Sequence, residues 1–152
     1  GAMRSYERTL ARLLREFAQA SRIYGGHGDP VDTPQEKLRD YIEHRRTRER
    51  ELLDRLHDAP QTIPQLVTAI YRETDTVLWP AAARQLLAYL IALEQEGRVR
   101  SRELDRGMSA QEQAILNPEW EHVVGREHAE MVREELGAML RLDAIRVYEA
   151  VR

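Results

Sequence analysis

The sequence predicts a mainly α-helical chain organised around a winged helix-turn-helix, with a helix and strand ahead of it and a helical extension behind it. Three observations predict this. Apolar residues recur at three- and four-residue spacing through most of the chain, which is the helical period. Thr33-Pro34 and Thr62-Ile63-Pro64 supply helix starts, and Gly97 supplies a stop. A long helix, a short one and a longer one are then followed by an arginine-rich strand at Arg98-Val99-Arg100-Ser101-Arg102.

Taken in order, Leu10, Leu13, Leu14 and Phe17 give an amphipathic helix over Ser5–Ala20. Arg22-Ile23-Tyr24 reads as a short strand, halted by Gly25-Gly26-His27-Gly28-Asp29-Pro30, where so many glycines call for unusual backbone angles or a close approach. Thr33 as N-cap, Pro34 at the first position and Glu36 in the first turn start a helix with Leu38, Tyr41, Ile42, Leu52, Leu53 and Leu56 as its stripe. After a break at Asp58-Ala59-Pro60, a shorter helix carries Leu66, Val67, Ile70 and Tyr71. A third helix runs from about Leu78 to Glu96, and its apolar residues on most faces predict burial on more than one side. Beyond Met108, Asn117-Pro118-Glu119 starts a long helical pattern through Trp120, Val124, Met131, Met139, Leu142, Ile145 and Tyr148. Four segments result: 1–3, 4–32, 33–104 and 105–152. The opening Gly1-Ala2-Met3 reads as an expression scar left by protease cleavage.

Composition narrows the classes. The 152 residues are 42% hydrophobic and 32% charged, with a formal charge of −3, which is too apolar for a disordered tail. No apolar run near membrane-spanning length and no leader are expected, so the chain reads as cytoplasmic and free of membrane. Zero cysteines remove a disulfide framework, a thiolate zinc site and a cysteine nucleophile. Of 23 cations only Lys37 is lysine, a bias that resembles the codon habit of a GC-rich genome more than phosphate recognition. Residues 4–107 are nearly balanced in charge, whereas 108–152 hold five arginines against nine acids.

Chemistry-bearing residues are sparse. None of His27, His44, His57, His122 and His128 are paired at helical i, i+3 or i+4 spacing, so no zinc set emerges from this chain. Glu121, His122, Glu127, His128 and Glu130 read as a solvated face. The serines stand outside any nucleophile-elbow motif. Arg45, Arg46 and Arg48, with Arg98, Arg100 and Arg102 on the strand, are candidate contacts to an RNA backbone or a partner. Interleaved Glu43, Glu49 and Glu51 offer the alternative of a salt-bridged face. Only Arg84, Gln85 and Gln95 on the third helix could donate to base edges, which disfavours sequence-specific DNA reading. Trp120, Val124, Met131, Met139, Leu142 and Ile145 form a candidate face for a partner helix, including a homodimer through C-terminal helices.

The stretch Ile23-Tyr24-Gly25-Gly26-His27-Gly28-Asp29-Pro30-Val31 resembles the GHG turn that closes the hydrolase domain of metallo-β-lactamase-fold enzymes. The spaced residues that follow, from Lys37-Leu38, Tyr41-Ile42 and His44-Arg45 through Thr62-Ile63 and Leu66-Val67 to Leu86–Leu90, Leu93-Glu94 and Gly97-Arg98-Val99, extend the likeness. They resemble the C-terminal winged-helix region of the β-lactamase-like hydrolases, whose members include an endoribonuclease and thioesterases. The resemblance implies that 4–32 is the edge of a hydrolase domain and 33–104 the winged helix, with 105–152 an acidic helical addition. It implies that His27 is a metal ligand only when a missing domain completes the site. The family's HxHxDH motif is absent from these residues, so the isolated chain is expected to be inert. The complete parent would then bind zinc and hydrolyse an ester, a thioester or an RNA phosphodiester, with the missing catalytic domain as this chain's partner. The alternative is a stand-alone winged-helix regulator that binds nucleic acid and keeps a vestigial metal turn.

Overall fold

The computed structural model describes residues 2–26, 28–116 and 145–151. Two compact units emerge, residues 1–50 and 51–152. The division falls inside a helix.

In the first unit α1 covers Ala2–Glu16, and α2, Pro34–Asp58, begins here and continues into the second. Met3, Leu10 and Leu38 are buried, whereas Phe17 is 55% exposed and Tyr41 47% exposed, so the predicted stripes are only partly covered. Arg4 ties the helices together by donating to Glu7 (2.9 Å) and, through both terminal nitrogens, to Glu49 (2.5 and 3.1 Å). At the other end Gln35 Nε2 donates to the carbonyl oxygens of Phe17 (2.8 Å) and Ala20 (3.4 Å), which follow the last turn of α1. Of the short strand expected at Arg22-Ile23-Tyr24, a single bridge from Ile23 to Val31 forms.

The second unit is the winged helix. Its elements are the end of α2, β1 (Gln61–Thr62), α3 (Ile63–Ile70), a 3-10 turn (Thr76–Leu78), α4 (Trp79–Gln95), β2 (Val99–Glu103), α5 (Ala110–Leu116) and β3 (Arg146–Ala150). Thr62 starts α3, its backbone N–H and hydroxyl both donating to Gln65 Oε1 (2.8 and 3.1 Å). Asp75 accepts from the Val77 N–H (3.0 Å) to set the 3-10 turn that leads into α4. Trp79 Nε1 donates to the Tyr71 carbonyl (3.1 Å) and the Tyr71 hydroxyl donates to Gln85 (3.3 Å), which fixes the α3–α4 corner. Gly97, at φ +70°, ends α4. The Arg98 N–H returns to the Leu93 carbonyl (2.9 Å) and the Gly97 N–H to that of Glu94 (3.0 Å), a glycine-closed helix end that only a residue tolerant of the left-handed region provides cheaply.

On α4, Pro80, Ala82, Ala83, Leu86, Tyr89, Leu90, Ala92 and Leu93 are all buried, as its composition predicts. By length and composition the segment Thr76–Gln95 is apolar enough to cross a membrane, which corrects the expectation that no such run exists. Its apolarity has a physical account within the fold, because this helix supplies much of the core. Leu52, Leu53 and Leu56 of α2, Leu66 and Val67 of α3, and Val99 of β2 are buried with it.

The sheet has the order β1-β3-β2 and is antiparallel throughout. Tyr148 of β3 lies opposite both Gln61 and Ser101, so the central strand is the last in sequence. This corrects the helical reading of the C-terminal end. Ile145 and Tyr148 are three apart, which mimics a helical stripe, yet Ile145 (1% exposed), Val147 and Tyr148 are buried at and within a strand. Ile145 is therefore no part of a partner-helix face, and its carbonyl accepts from the Leu104 N–H (2.9 Å). Trp120, Val124, Met131, Met139 and Leu142 lie outside the described residues.

Two outcomes follow from these contacts. A chain ending at Leu116 lacks the central strand, and it should lose the cooperative thermal transition of the winged helix seen by circular dichroism. Glu112 caps α5 reciprocally with Ser109, whose N–H it accepts (2.8 Å) while its own N–H donates to Ser109 Oγ (3.2 Å). Arg106, which donates to it at 2.7 and 2.9 Å, holds its carboxyl down at about 2, aided by those Ser109 bonds. Because the folded value lies below the ordinary one, this stabilisation is complete above the ordinary carboxylate range and fades as pH falls toward 2. The Tm difference between the native chain and Glu112→Gln should therefore shrink steadily when both are melted at successively lower pH through that interval.

Candidate functional site

The glycine-rich turn is closed at its neck by this chain alone. Ile23 and Val31 exchange both backbone hydrogen bonds (2.9 and 2.8 Å), and an ion pair joins Arg22 to Asp32 one residue further out. Hydrogen bonds to Tyr24 and then to Asp32 push the Arg22 guanidinium further up from its already high range. Within the turn Gly28 sits at φ +80°, which explains glycine there. His27, the turn's candidate metal ligand, lies outside the described residues.

Between α1 and α2 the first unit has a groove of about 930 Å³, with Ala11, Leu14 and Ile42 among its lining and Arg4, Glu7, Arg39, Glu43, Arg46, Glu49 and Arg50 around them. This groove is not among the sites expected from sequence. Its signal was present in the three-, four- and three-residue steps of Arg4, Glu7, Ala11 and Leu14, which run along α1 at the edge of the apolar stripe and share Leu14 with it.

The candidate arginines divide between the units. Arg45 and Arg46 of α2 belong to the first, and so does Arg48. Arg45 lies over the Tyr6 ring, 4.1 Å from its centroid, and also reaches the Met3 sulfur at 3.2 Å. Arg46 is exposed on the rim of the groove. In the second unit Arg100 donates to Glu149 (2.7 Å), directly opposite it on β3. Arg98 faces Glu96 at 3.7 Å, and Arg146 faces Glu103 at 3.8 Å. Arg102 is exposed on the same side of β2 as Arg100. Arg98, Arg100 and Arg146 are thus each met by a nearby carboxylate.

On the sheet's other side a short hydrogen-bonded chain joins Arg146, Ser101 and Glu94. Arg146 donates to Ser101 Oγ (3.0 Å), which donates to Glu94 (2.6 Å). Burial pushes the nearby Tyr148 phenol up, with Arg146 opposing and Glu94 adding to the shift. The outward side of α4 is poor in charge. Arg84 is its one cation, and Ile91 (44% exposed) lies out in solvent, as does Leu78 (53%) in the turn before it. Such a helix offers little to phosphates or base edges. Among the described residues, no three His, Asp or Glu side chains gather into a metal-binding group.

Comparison with known proteins agrees with this architecture. Residues 62–106 match the family described as the beta-lactamase associated winged helix domain. Over 98 residues, 62% of the chain, the sequence is 37% identical to the beta-lactamase-like protein 2 homolog of Drosophila melanogaster, of which this covers 33%. Its counterpart in Caenorhabditis elegans is 36% identical over 81 residues, 53% of the chain and 28% of the relative. The matched stretch is about a third of the length of these relatives. With α3, α4 and the β1-β3-β2 sheet in place around the matched segment, the chain carries a winged-helix domain of the kind associated with β-lactamase-like proteins.

Proposed function

We propose that this chain is the winged-helix region of a cytoplasmic, metal-dependent hydrolase of the metallo-β-lactamase fold, and that it is catalytically inert by itself. The match of residues 62–106 carries the reading. Two further features support it. The similarity to the fly relative extends over 98 residues, well beyond the 62–106 segment, and the glycine turn keeps a closed neck. In this reading the winged helix packs against a catalytic domain and walls its substrate cleft or supports a dimer. The substrate would be an ester, a thioester or an RNA phosphodiester.

Zinc would belong to the parent and not to this chain. A catalytic zinc site needs about three protein ligands. The described side chains offer no such set, so they do not fit the ion. His27 would join the site only beside ligands from the missing domain. The alternative of a stand-alone nucleic-acid-binding regulator draws less support, because Arg98, Arg100 and Arg146 face Glu96, Glu149 and Glu103.

The isolated chain, assayed with zinc against ester, thioester and RNA substrates, should hydrolyse none of them. Adding a β-lactamase-fold catalytic domain that carries the HxHxDH motif should restore turnover. Metal-dependent hydrolysis by the chain alone would overturn the proposal. Tight, salt-dependent binding of single-stranded RNA by the chain alone would favour the regulator instead.

A further inference from the structure

We infer that residues 105–144 are an insertion in the wing, and that β3 is held in the sheet by its own pairing and packing, independently of that connection. The family match ends at residue 106, just past β2, yet the strand that completes the domain begins only at Arg146. The β2–β3 register runs without a fault from Val99↔Ala150 to Glu103↔Arg146. One step further the Leu104 N–H donates to the Ile145 carbonyl (2.9 Å), so the two ends of the connection are hydrogen-bonded neighbours. That geometry is the end of a β-hairpin, which a two-residue turn would ordinarily close. In this chain forty residues leave and return between the same pair.

Composition also sets the connection apart. It is rich in acidic residues, whereas β2 itself carries Arg100 and Arg102. Its first part is itself anchored in the second unit, since α5 lies within it and Leu116 is 1% exposed, and just past its end Ile145, Val147 and Tyr148 are buried. β3 has partners along both edges, β1 on one and β2 on the other. A strand so held gains its place from ladder bonds and apolar burial, and the covalent link contributes only loop closure.

Two variants test this. In the first, residues 105–144 are replaced by Asn-Gly, which turns Leu104 and Ile145 into the flanks of a tight hairpin. It should keep a cooperative melt, at a lower midpoint because α5 is gone. In the second, a protease recognition sequence is placed after Leu116 and cleaved to completion. At micromolar concentration the two pieces should co-elute in native gel filtration and separate under denaturant. Tyr148→Asp in the cleaved protein should release the C-terminal piece. A hairpin variant without a cooperative transition, or cleaved pieces that separate under native conditions, would overturn the inference.

Discussion

The pairing of β3 between β1 and β2 is the constraint on which the winged helix depends. β1 is two residues long and β2 five, and no direct pairing joins them. Two-stranded ribbons are marginal in water, and a two-residue strand has no independent existence. With β3 between them, Thr62 is fixed opposite Val147, and Thr62 is also the residue that starts α3. On the far side, Val99 is fixed opposite Ala150, shortly after the glycine that ends α4. The same five-residue strand therefore anchors the beginning of one core helix and the end of the other. The α3–α4 corner closes between these points through Trp79 and Tyr71.

What could be read from sequence and what could not divides along the range of the interactions. Thr33-Pro34, Thr62-Ile63-Pro64 and Gly97 mark helix ends through bonds to residues within about one turn, so their signals are complete in a short window. The burial of α4 was legible too, since few of its positions are polar. β3 was not legible. Only Val147 and Tyr148 in it are strong strand formers, Ile145 and Tyr148 fall at helical spacing, and the partners that decide the matter lie on strands far away in the chain. Phe17 and Tyr41 were over-read for a related reason, because apolar periodicity reports which face could be buried and not whether anything covers it.

Charge followed the same rule. A run of arginines at 98, 100 and 102 suggests a surface for phosphates when read in isolation. The antiparallel register places Glu149 against Arg100, 49 residues away, and brings Arg146 and Glu103 together across the same ladder. Cross-strand ion pairs of this exposed kind contribute little stability, but they cancel the local field that would draw a polyanion. In α2 the arginines are spread among different tasks. Arg45 covers an aromatic ring, and Arg46 stands at a groove.

The fold also bears on why the family match ends just past β2. Residues 62–106 contain α3, α4 and β2, the elements of the winged helix whose capping and burial are most local. A hairpin tolerates added chain at its tip, because the cost of closing a longer loop grows only slowly with length while the ladder below it is unchanged. In our inference the forty residues leave the β2–β3 ladder unchanged and move the last strand beyond the matched segment, while α5 within them adds packing of its own. On this view the C-terminal third of the chain divides in two. Arg146–Ala150 completes the sheet of the winged helix, and in our inference 105–144 is the segment inserted ahead of it.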